Sequence, residues 1–510
     1  MTETSVLHLF HRKEGRERVA LITPAATYTY GETAEEIDRI AAGLWAHGIR
    51  KGDRVGMHIA NTPQLLQLTV ALWRLGVTSV FLDIYHGPAR IVAWCNHTEV
   101  SAVVVEAGKL GDVAPYLKEL SPARPVFSTG VDVSVPGVLP WTALTEGHPP
   151  APPVTVEESD LLLIIQTSGT AARPKGICHT RHNLDARLRS HLQCPPLRPD
   201  DVACPMSPLS TVAGLNACAL PALAVGGKVL LLMSSFDPGN ALEQMVKMGA
   251  TVVMGGPSRV HGLIQAARAR PELARTSLRF ALTGGDKTQE ALRRDWDETF
   301  GLPLLDGFGL SETLGGVLIN RLDDPDHAGN VGTPFPEVAA RLVGEDGQDV
   351  PDGTPGELCV KCDFLFTSYL NEPERTRDAL VDGWFHTGDL AVRDAGGRFR
   401  ILGRRDHLIL RGTLNISPLE IEAAILDHPA VADCMVAGFP HEVLGQEVEA
   451  FLVLREPRSL EEIKDPVFDR LGPSMCPSQF WSVAEIPRTS QGKVDRKAAG
   501  QLRAHATPLR

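Results

Sequence analysis

The sequence has 510 residues, of which 43% are hydrophobic and 22% charged, and a formal net charge of −12. Because single hydrophobic cores rarely grow beyond about 250–300 residues, this length predicts two or three domains. The excess of 62 acidic over 50 basic residues argues against a general nucleic-acid-binding protein, which carries a basic face.

The N-terminal region shows no targeting signal. Residues 1–22 contain no long apolar stretch behind basic residues, so no secretory signal peptide is predicted. No apolar run in the chain approaches the ~20 residues that span a bilayer. The nine cysteines are scattered, which favours a reduced intracellular setting over a disulfide framework. We therefore expect a cytoplasmic protein without a membrane span.

Short apolar runs alternate with longer amphipathic stretches through most of the chain. Residues 70–84 have the pattern of a helix, a turn and a strand, and residues 241–256 repeat it, with Gly249 at the end of the helix. Residues 131–157 are rich in Pro, Val and Gly and predict an irregular connection. The apolar run 161–166 then predicts a buried strand. This alternation predicts an α/β fold with largely parallel strands.

A loop rich in hydroxyls and glycine, TSGTAARPKG, follows this strand directly. Gly169 lets the backbone approach a ligand closely, and Lys175 adds a positive charge. Backbone N–H groups and hydroxyls on such a loop can hold a triphosphate, although the spacing differs from that of a Walker A loop. With a plain surface loop as the alternative, we assign nucleotide phosphates to Thr167, Ser168, Gly169, Thr170 and Lys175.

Two later segments, DGFGLSET and GWFHTGDL, present groups that suit the rest of a nucleotide. Asp306 opens the first segment and is assigned to the nucleotide with it, and Phe308 lies between two glycines, where its ring can stack on a purine. Glu312 offers carboxylate oxygens to Mg²⁺. Asp389 is predicted on a turn, where a carboxylate can accept both ribose hydroxyls. A helix cap and a turn residue are the structural alternatives for Glu312 and Asp389.

The character of the sequence changes near residue 400. Residues 397–416 predict paired strands with Gly turns, and residues 417–454 predict a helix that begins at Ser-Pro and two further strands. These elements form a small α+β unit. We place the domain boundary at Arg404 to Asp406, which gives a large domain of residues 1–403 and a small domain of residues 404–510.

Two basic residues of this C-terminal region complete the set of candidates. Arg404, in GRRDH, suits phosphate or ribose. Lys493 is presented on a loop that contains glycine, within PRTSQGKVDRK. Solvated surface charges are the structural alternative for both residues.

These segments, in this order and at these spacings, resemble the AMP-forming acyl-adenylating superfamily, which includes acyl-CoA synthetases, adenylation domains of peptide synthetases and luciferases. The resemblance extends from about residue 20 to residue 500. It implies a large N-terminal domain of parallel sheets, a distorted β-barrel subdomain and a small mobile C-terminal lid.

The resemblance also implies a role for each matching residue. In this family a carboxylate oxygen attacks the α-phosphate of ATP, pyrophosphate leaves and an acyl-AMP forms. The hydroxyl-rich loop would hold the leaving phosphates, Ser311 the α-phosphate and Glu312 the Mg²⁺. Asp389 would bind ribose, with Arg404 near ribose and phosphate, and Lys493 would bridge the α-phosphate and the acid.

The small domain is implied to move between two half-reactions. Asp406 matches the family's hinge position. The movement would withdraw Lys493 and bring residues 411–416 to the site, where the acceptor thiol of CoA or of a carrier-protein phosphopantetheine would enter.

The acid-binding region departs from the family pattern. Many acyl-CoA synthetases have Pro-x-Phe-His-x-x-Gly where this chain reads PLSTVAG, so Ser210 and Thr211 give a small polar gate. Amino-acid-adenylating domains have an Asp there, and its absence disfavours an α-amino acid. We assign Thr211 and Gly284 to the acid pocket. The charges of GGDKT lie either beside the acyl wall or in solvent beyond it.

Two further sequence features concern the lid and the cysteines. The loop RGTLNI has Thr413 and Leu414 where many CoA ligases have Gly or an aromatic residue and then Glu. The acceptor therefore stays open between CoA, a carrier protein and an amine. Cys359 and Cys362 form a lone CxxC in a strand-like run, which favours structural cysteines over a zinc site.

The leading prediction is a ligase that uses ATP and Mg²⁺ to activate a small carboxylic acid and transfers it to a thiol. The alternative is an adenylating enzyme of secondary metabolism with an unusual acid or acceptor, which forms an amide or a β-lactone or activates nitrite for N–N bond formation. A third class is a binding protein without catalysis. The presence of all the expected polar residues argues against it: Lys175, Glu312, Asp389, Arg404 and Lys493.

Overall fold

The structure is a computed structural model that describes most of the chain. The described residues are 5–12, 14–84, 86–121, 123–167, 175–232, 237–286, 288–324, 327, 329–405, 408–411, 414–441, 444–472, 475–489 and 493–509. They form four β-sheets with helices between and around them. Within these residues, none of the helices combines the length and the apolar character that crossing a membrane requires.

Strands and helices alternate through most of the chain. The strands are β1 (Val19–Ile22), β2 (Thr27–Thr29), β3 (Arg54–His58), β4 (Thr78–Phe81), β5 (Ala102–Val105), β6 (Val126–Ser128), β7 (Val138–Leu139), β8 (Leu161–Thr167), β9 (Lys175–Thr180), β10 (Val202–Pro205), β11 (Lys228–Leu230), β12 (Val252–Met254), β13 (Phe280–Gly284), β14 (Leu304–Leu310), β15 (Gly315–Ile319), β16 (Thr333–Pro334), β17 (Ala339–Val343), β18 (Gly356–Lys361), β19 (Ser368–Tyr369), β20 (Leu380–Val381), β21 (Trp384–Arg393), β22 (Phe399–Arg404), β23 (Ile409–Arg411), β24 (Leu414–Ile416), β25 (Val431–His441), β26 (Gly445–Leu454), β27 (Gln479–Ser482) and β28 (Thr507–Pro508). The helices are α1 (Tyr30–Ala46), α2 (Pro63–Arg74), α3 (Pro88–His97), α4 (Leu110–Val113), α5 (Thr142–Thr145), α6 (Arg181–His191), α7 (Val212–Gly214), α8 (Leu220–Ala224), α9 (Pro238–Lys247), α10 (Pro257–Ala269), α11 (Glu290–Phe300), α12 (Pro373–Ala379), α13 (Pro418–Leu426), α14 (Leu460–Leu471) and α15 (Ala499–Ala504).

Two large sheets contain the parallel strands of the N-terminal region. The nine-stranded sheet has the order β16-β15-β14-β13-β12-β10-β11-β1-β2 and runs parallel from β14 to β1. The eight-stranded sheet has the order β19-β9-β8-β4-β3-β5-β6-β7 and runs parallel from β8 to β7. The predicted α/β architecture with largely parallel strands is therefore confirmed.

Two smaller sheets follow along the chain. An antiparallel sheet of β17, β18, β20, β21 and β22 forms the barrel-like subdomain, and the last sheet, from β23 to β28, forms the small C-terminal α+β domain. The predicted fold class is thus confirmed for these parts as well. Strand β22 ends at Arg404 and β23 begins at Ile409, so strand pairing assigns Arg404 to the barrel-like sheet. The division into residues 1–403 and 404–510 stays a prediction.

The large sheets are layered with helices, because each sheet has two apolar faces to cover. Helices α1 and α2 lie between the two sheets, where Ile37 and Trp73 are fully buried in the largest core. Helices α9, α10 and α11 cover the outer face of the nine-stranded sheet, with Trp296 in that core. Helix α3 covers the outer face of the eight-stranded sheet through Trp94. This arrangement leaves the carboxyl ends of the parallel strands open for a site.

Local sequence signals account for where these helices begin and end. The Thr29 side chain accepts from the Glu32 N–H and the Glu32 carboxylate accepts from the Thr29 N–H, a capping box that starts α1. Helix α9 ends at Lys247, and Gly249 adopts a φ of +68°, which only glycine adopts readily. The predicted helix, turn and strand order of residues 241–256 is confirmed.

Candidate active site

A cleft of about 1370 Å³ lies between the nine-stranded sheet and the C-terminal domain. One wall comes from the carboxyl ends of β12, β13 and β14, and the other from the face of the C-terminal domain around α13. Ligands of open α/β sheets bind outside the carboxyl ends of the strands. Four predicted site residues line this cleft, namely Thr211, Gly284, Ser311 and Lys493.

The two residues assigned to the acid pocket are held by the backbone around them. The Thr211 hydroxyl donates to the Pro208 carbonyl at 2.7 Å and accepts from the Gly214 N–H at 3.3 Å, which starts α7. Gly284 ends β13, where a Cβ would lie 2.4 Å from the Gly307 carbonyl oxygen. Only glycine fits at this position. Contact of the two residues with an acid stays a prediction.

Ser311 lies on a single 3₁₀ turn, Ser311–Thr313, between β14 and β15. The chain reverses there through Leu314 and Gly315, with φ angles of +50° and +112°. The Ser311 carbonyl is 2.8 Å from His179 Nε2, and this nitrogen carries the proton because a carbonyl only accepts. Burial lowers the pKa of His179 to about 4, so the ring is neutral at physiological pH.

Glu312 is the centre of a buried group of charges. Its side chain is nearly inaccessible, and Oε1 accepts from the Tyr369 hydroxyl at 2.9 Å. The other oxygen makes no hydrogen bond to the described part of the chain. The Lys175 ammonium lies 4.9 Å from the centre of the Tyr369 ring. Burial lowers the pKa of Lys175, Glu312 raises it, and Arg375 and Arg404 lower it, so these charges act on one another.

Asp389 and Arg404 face each other across β21 and β22. Arg404 Nη1 donates to Asp389 Oδ2 at 3.2 Å and to the Thr387 carbonyl at 2.9 Å. Asp389 lies within β21 and not on the turn that the sequence predicted, and Gly388 before it has a φ of +73°, which favours glycine. The Gly388 N–H donates to Glu357 Oε1 at 3.0 Å. Two residues predicted from separate motifs thus form one unit.

Strand β14 carries Asp306 and Phe308 to different surroundings. Asp306 is buried in an ion pair with Arg293 at 3.0 Å, and its N–H donates to Asn320 Oδ1 at 2.9 Å. Burial raises the pKa of Asp306 to about 6, although Arg293 lowers it. Phe308 is half-buried and packs against the large core. The Asp306 carboxylate therefore anchors Arg293. Contact of Asp306 and of Phe308 with a nucleotide stays a prediction.

Of the remaining predicted residues, some are described by the structure and others lie outside its described part. Lys493 is exposed on the wall of the cleft opposite Ser311, and its carbonyl accepts from the Thr489 N–H at 2.7 Å. Thr167 is the last residue of β8 and pairs in register with Lys175 at the start of β9. Three loop residues and the hinge residue lie outside the described part of the chain: Ser168, Gly169, Thr170 and Asp406.

The sequence did not identify three residues that hold the site together. Tyr369 binds Glu312, His179 binds the Ser311 carbonyl, and Glu357 binds the Gly388 N–H. No sequence pattern links these partners, because the short strand β19 that carries Tyr369 pairs with β9 only in the folded chain. For His179 the sequence offers a weak indication, since this residue lies on the strand that follows the hydroxyl-rich loop.

The cysteines of the CxxC are not part of this site. Cys359 lies buried in β18, with its sulfur 3.4 Å from His386 Nδ1, and Cys362 follows the strand. Burial raises the pKa of both thiols to about 12, so both stay protonated. The described residues contain no group of three or more His, Cys, Asp or Glu side chains arranged to hold a metal ion.

Known proteins match this chain over most of its length. The family model "AMP-binding enzyme" matches residues 10–370, and "AMP-binding enzyme C-terminal domain" matches residues 420–493. Sulfoacetate–CoA ligase from Cupriavidus necator is 29% identical over 473 residues, which are 92% of this chain and 91% of that protein. Feruloyl-CoA synthase from an Amycolatopsis species is 31% identical over 473 residues, which are 91% and 92% of the two chains.

Solved structures share the complete fold. ATP-bound MatB from Rhodopseudomonas palustris superposes with a TM-score of 0.89 at 27% identity, over 98% of this chain and 99% of that one. The anthranilate CoA ligase AuaEII in complex with anthranoyl-AMP has a TM-score of 0.90 at 23% identity, over 98% of each chain, and supports the fold alone. Since the family models match most of the chain, it belongs to the AMP-binding enzyme family and is an AMP-forming acid–thiol ligase.

Proposed function

We propose that this enzyme uses ATP and Mg²⁺ to convert a carboxylic acid into its acyl-adenylate and then transfers the acyl group to a thiol. The observation that carries this proposal is the turn Ser311–Thr313. Ser311 lines the large cleft, and the next residue, Glu312, lies in the charge group with Lys175 and Arg404. One turn therefore connects a space for the acid to groups that suit polyphosphate.

The first step is a displacement at phosphorus. A carboxylate oxygen of the acid bonds to the α-phosphorus of ATP, and the bond to the bridging oxygen breaks, so that pyrophosphate leaves. The protein contributes position and charge neutralisation to such a step rather than covalent chemistry. We assign the leaving phosphates to Lys175 and to Thr167, Ser168, Gly169 and Thr170, the α-phosphate and acid oxygens to Ser311 and Lys493, and ribose and the adjacent phosphate to Asp389 and Arg404.

Glu312 fits a magnesium ion by the chemistry of its carboxylate. Mg²⁺ prefers oxygen ligands and binds through one or two carboxylates together with substrate phosphates. One oxygen of Glu312 is oriented by Tyr369, and the other has no hydrogen bond within the described residues. When bound, Mg²⁺ supplies neutralisation of the charge that develops on the phosphate oxygens.

The second step transfers the acyl group. A thiolate sulfur bonds to the acyl carbon, the bond from that carbon to the phosphate oxygen breaks, AMP leaves, and the thiol proton passes to solvent. The names of the CoA ligases and synthases to which the chain is similar favour CoA over a carrier protein as the thiol. We propose that the C-terminal domain turns at Asp406 between the steps, because Arg404 ends one sheet and Ile409 begins the next.

Release of pyrophosphate by the purified protein with ATP and Mg²⁺ tests the proposal, across aliphatic acids, aryl acids, amino acids and nitrite. We expect release that depends on a carboxylic acid, and an acyl-CoA detected by mass spectrometry when CoA is added. Glu312→Gln keeps the shape of the side chain without its charge, and we expect this variant to be inactive. Release with nitrite alone would contradict the proposal and favour N–N bond formation. An acyl-adenylate that CoA does not consume would leave a carrier-protein thiol or an amine as the acceptor.

A further inference from the structure

A buried arginine lines the same cleft and is not used by the proposed chemistry. Arg187 lies on α6 and is 1% exposed. Its guanidinium carbon is 4.6 Å from the centre of the Phe335 ring and 5.0 Å from that of Phe364. Arg187, Phe335 and the neighbouring His191 are all lining residues of the cleft. The cation therefore lies at the inner wall, between aromatic faces.

The hydrogen bonds of Arg187 are incomplete. Nη2 donates to His191 Nδ1 at 2.9 Å, whereas Nε and Nη1 have no partner among the described residues. Because Nδ1 of His191 accepts, its Nε2 carries a proton, and this donor also has no partner within the described chain. Three buried donors on two neighbouring side chains thus lack an acceptor within the part of the chain that the structure describes.

The described part of the chain also offers Arg187 no anion to balance its charge. It forms no ion pair with any carboxylate of the described residues, and the acidic groups that act on it are the thiols of Cys362 and Cys194. Burial raises the pKa of both thiols, so they are neutral at physiological pH. Burial lowers the pKa of Arg187 itself to about 10, which keeps it protonated. The result is a buried cation without a counter-ion among the described residues.

This arrangement is costly unless a ligand completes it. Leaving a charge and its donors unpaired in a protein interior is strongly unfavourable, and contact with aromatic faces offsets only part of that cost. Arg279 shows the usual solution in this chain, since it pairs with Asp201 at 2.6 Å. A carboxylate in the same position beside Arg187 is missing from the described chain.

Two glycines lie next to Arg187 on the wall of the cleft. Gly315 and Gly316 follow the Ser311–Thr313 turn at the start of β15, and both line the cleft. A Cβ at Gly315 would lie 3.9 Å from Arg187 Nη2, and one at Gly316 would lie 2.8 Å from the Phe335 ring. The cation is therefore placed beside the chain segment that also positions Ser311.

We propose that Arg187, with His191, binds a second anionic group of the acid substrate. The substrates would then be acids that carry another carboxylate, a sulfonate or a phosphonate at the end away from the reacting carboxylate. This inference rests on the proposed function, because it treats the cleft as the acid pocket. It makes Arg187 a specificity-determining residue rather than a part of the adenylation chemistry.

The test compares pairs of acids that differ by a terminal methyl group against a terminal carboxylate: butyrate with succinate, hexanoate with adipate, and p-toluate with terephthalate. Pyrophosphate release by the native enzyme gives kcat/KM for each acid. We expect at least one diacid to exceed its methyl partner about 100-fold or more, as expected for a buried charge pair. Arg187→Met should abolish this preference, and Arg187→Lys should retain part of it.

Matched variants separate a specificity role from a structural one. Arg268 also lines the cleft but is half-exposed and paired with Asp295 at 2.7 Å, so Arg268→Met should leave the preference unchanged. His191→Phe keeps a ring against Phe335 and removes one donor, and should weaken the preference. Methyl acids used as well as or better than diacids by the native enzyme would overturn the proposal, as would an Arg187→Met variant that loses activity equally with both members of a pair. No release with any acid would overturn the proposed function itself.

Discussion

Arg404 and Asp389 lie directly opposite each other on neighbouring strands, and Arg404 Nη1 donates to the Asp389 carboxylate at 3.2 Å. Asp389 is 6% exposed, so the pair is largely shielded from water on the Asp389 side. The second contact of the same nitrogen, to the Thr387 carbonyl at 2.9 Å, fixes the orientation of the guanidinium. Residues assigned to ribose and to phosphate are therefore coupled before any nucleotide binds.

The coupling of Asp389 and Arg404 predicts a non-additive effect on ATP use. We expect Asp389→Ala and Arg404→Ala each to lower kcat/KM for ATP by about 100-fold or more, the scale of a lost transition-state donor. The double variant should lose less than the sum of the two free-energy changes, because either single change already breaks the pair. Steady-state kinetics with varied ATP, carried out on the native enzyme, the two single variants and the double variant, measures this non-additivity. Strict additivity would mean that the two residues act independently.

Lys493 should matter for one half-reaction only. We expect Lys493→Ala to lower the rate of adenylate formation by about 100-fold to 1000-fold, since it removes the positive charge assigned to the α-phosphate. Transfer of the acyl group from a supplied acyl-adenylate to CoA should be unchanged. Lys497→Ala, an exposed lysine of the same segment that is not among the cleft-lining residues, is the control. Equal loss of both half-reactions would reject this role.

Tyr369 is expected to act on magnesium through Glu312. Tyr369→Phe removes the 2.9 Å hydrogen bond to the carboxylate and keeps the ring beneath Lys175. A hydrogen bond to a charged group contributes about 1.5–3 kcal/mol, so we expect kcat/KM to fall roughly 10-fold to 100-fold. Titration of activity with Mg²⁺ should show a higher concentration for half-maximal rate. An unchanged Mg²⁺ dependence would show that Tyr369 does not orient the ligand.

His179 predicts a dependence of stability on pH. Its pKa is about 4 in the folded protein and 6.5 as the ordinary value, because burial disfavours the charged ring. Between these values the unfolded chain binds a proton that the folded chain does not, so stability is lost as the pH falls from 6.5 to 4. At about 1.4 kcal/mol per pKa unit, the full contribution over this interval is roughly 3–4 kcal/mol.

His179→Gln provides the comparison, because glutamine can donate to the Ser311 carbonyl but does not titrate. Urea denaturation at pH 7.5 and pH 5, followed by tryptophan fluorescence, gives the loss of stability for each protein. His58, whose pKa burial also lowers to about 4, contributes to the slope in both proteins. We expect the variant to lose less stability than the native protein. Equal losses would mean that His179 is not neutral in the folded state.

The sequence was sufficient to predict the fold class and several of its elements, because buried parallel strands are continuous apolar runs. It was wrong for residues 131–157, which were predicted to be irregular and contain β7 and α5. The strand predicted at residues 161–166 is β8, and the helix predicted from Ser-Pro is α13, Pro418–Leu426. The order of the strands was not predictable in this way. Strand β8 pairs with β4 and not with its neighbour in sequence on that side, and such pairings depend on packing across the whole domain.

The candidate site was predicted by residue type but not by contact. Glu312, Asp389 and Lys175 have side chains typical of nucleotide chemistry, so motifs identify them. Their partners are ordinary residues whose importance comes from tertiary structure. Tyr369 is one of five tyrosines, and nothing in its segment marks it as the hydrogen-bond partner of Glu312.

For Arg187 and Asp306, the surroundings of the charged side chain were not predictable from the sequence. A basic side chain on a helix usually faces solvent, yet Arg187 on α6 is 1% exposed. Asp306 was assigned with its motif to the nucleotide, and the structure pairs it with Arg293 of α11. Whether a charge on a helix or strand meets solvent, a partner or a ligand depends on which elements pack against it.

The most direct test of the central claim follows an oxygen atom. The enzyme is incubated with ATP, Mg²⁺, CoA and an accepted acid labelled with ¹⁸O in its carboxylate, and the products are analysed by mass spectrometry. Attack of the carboxylate on the α-phosphorus predicts one ¹⁸O in AMP, together with unlabelled pyrophosphate. Unlabelled AMP, or formation of ADP with ¹⁸O in inorganic phosphate, would contradict acyl-adenylate formation.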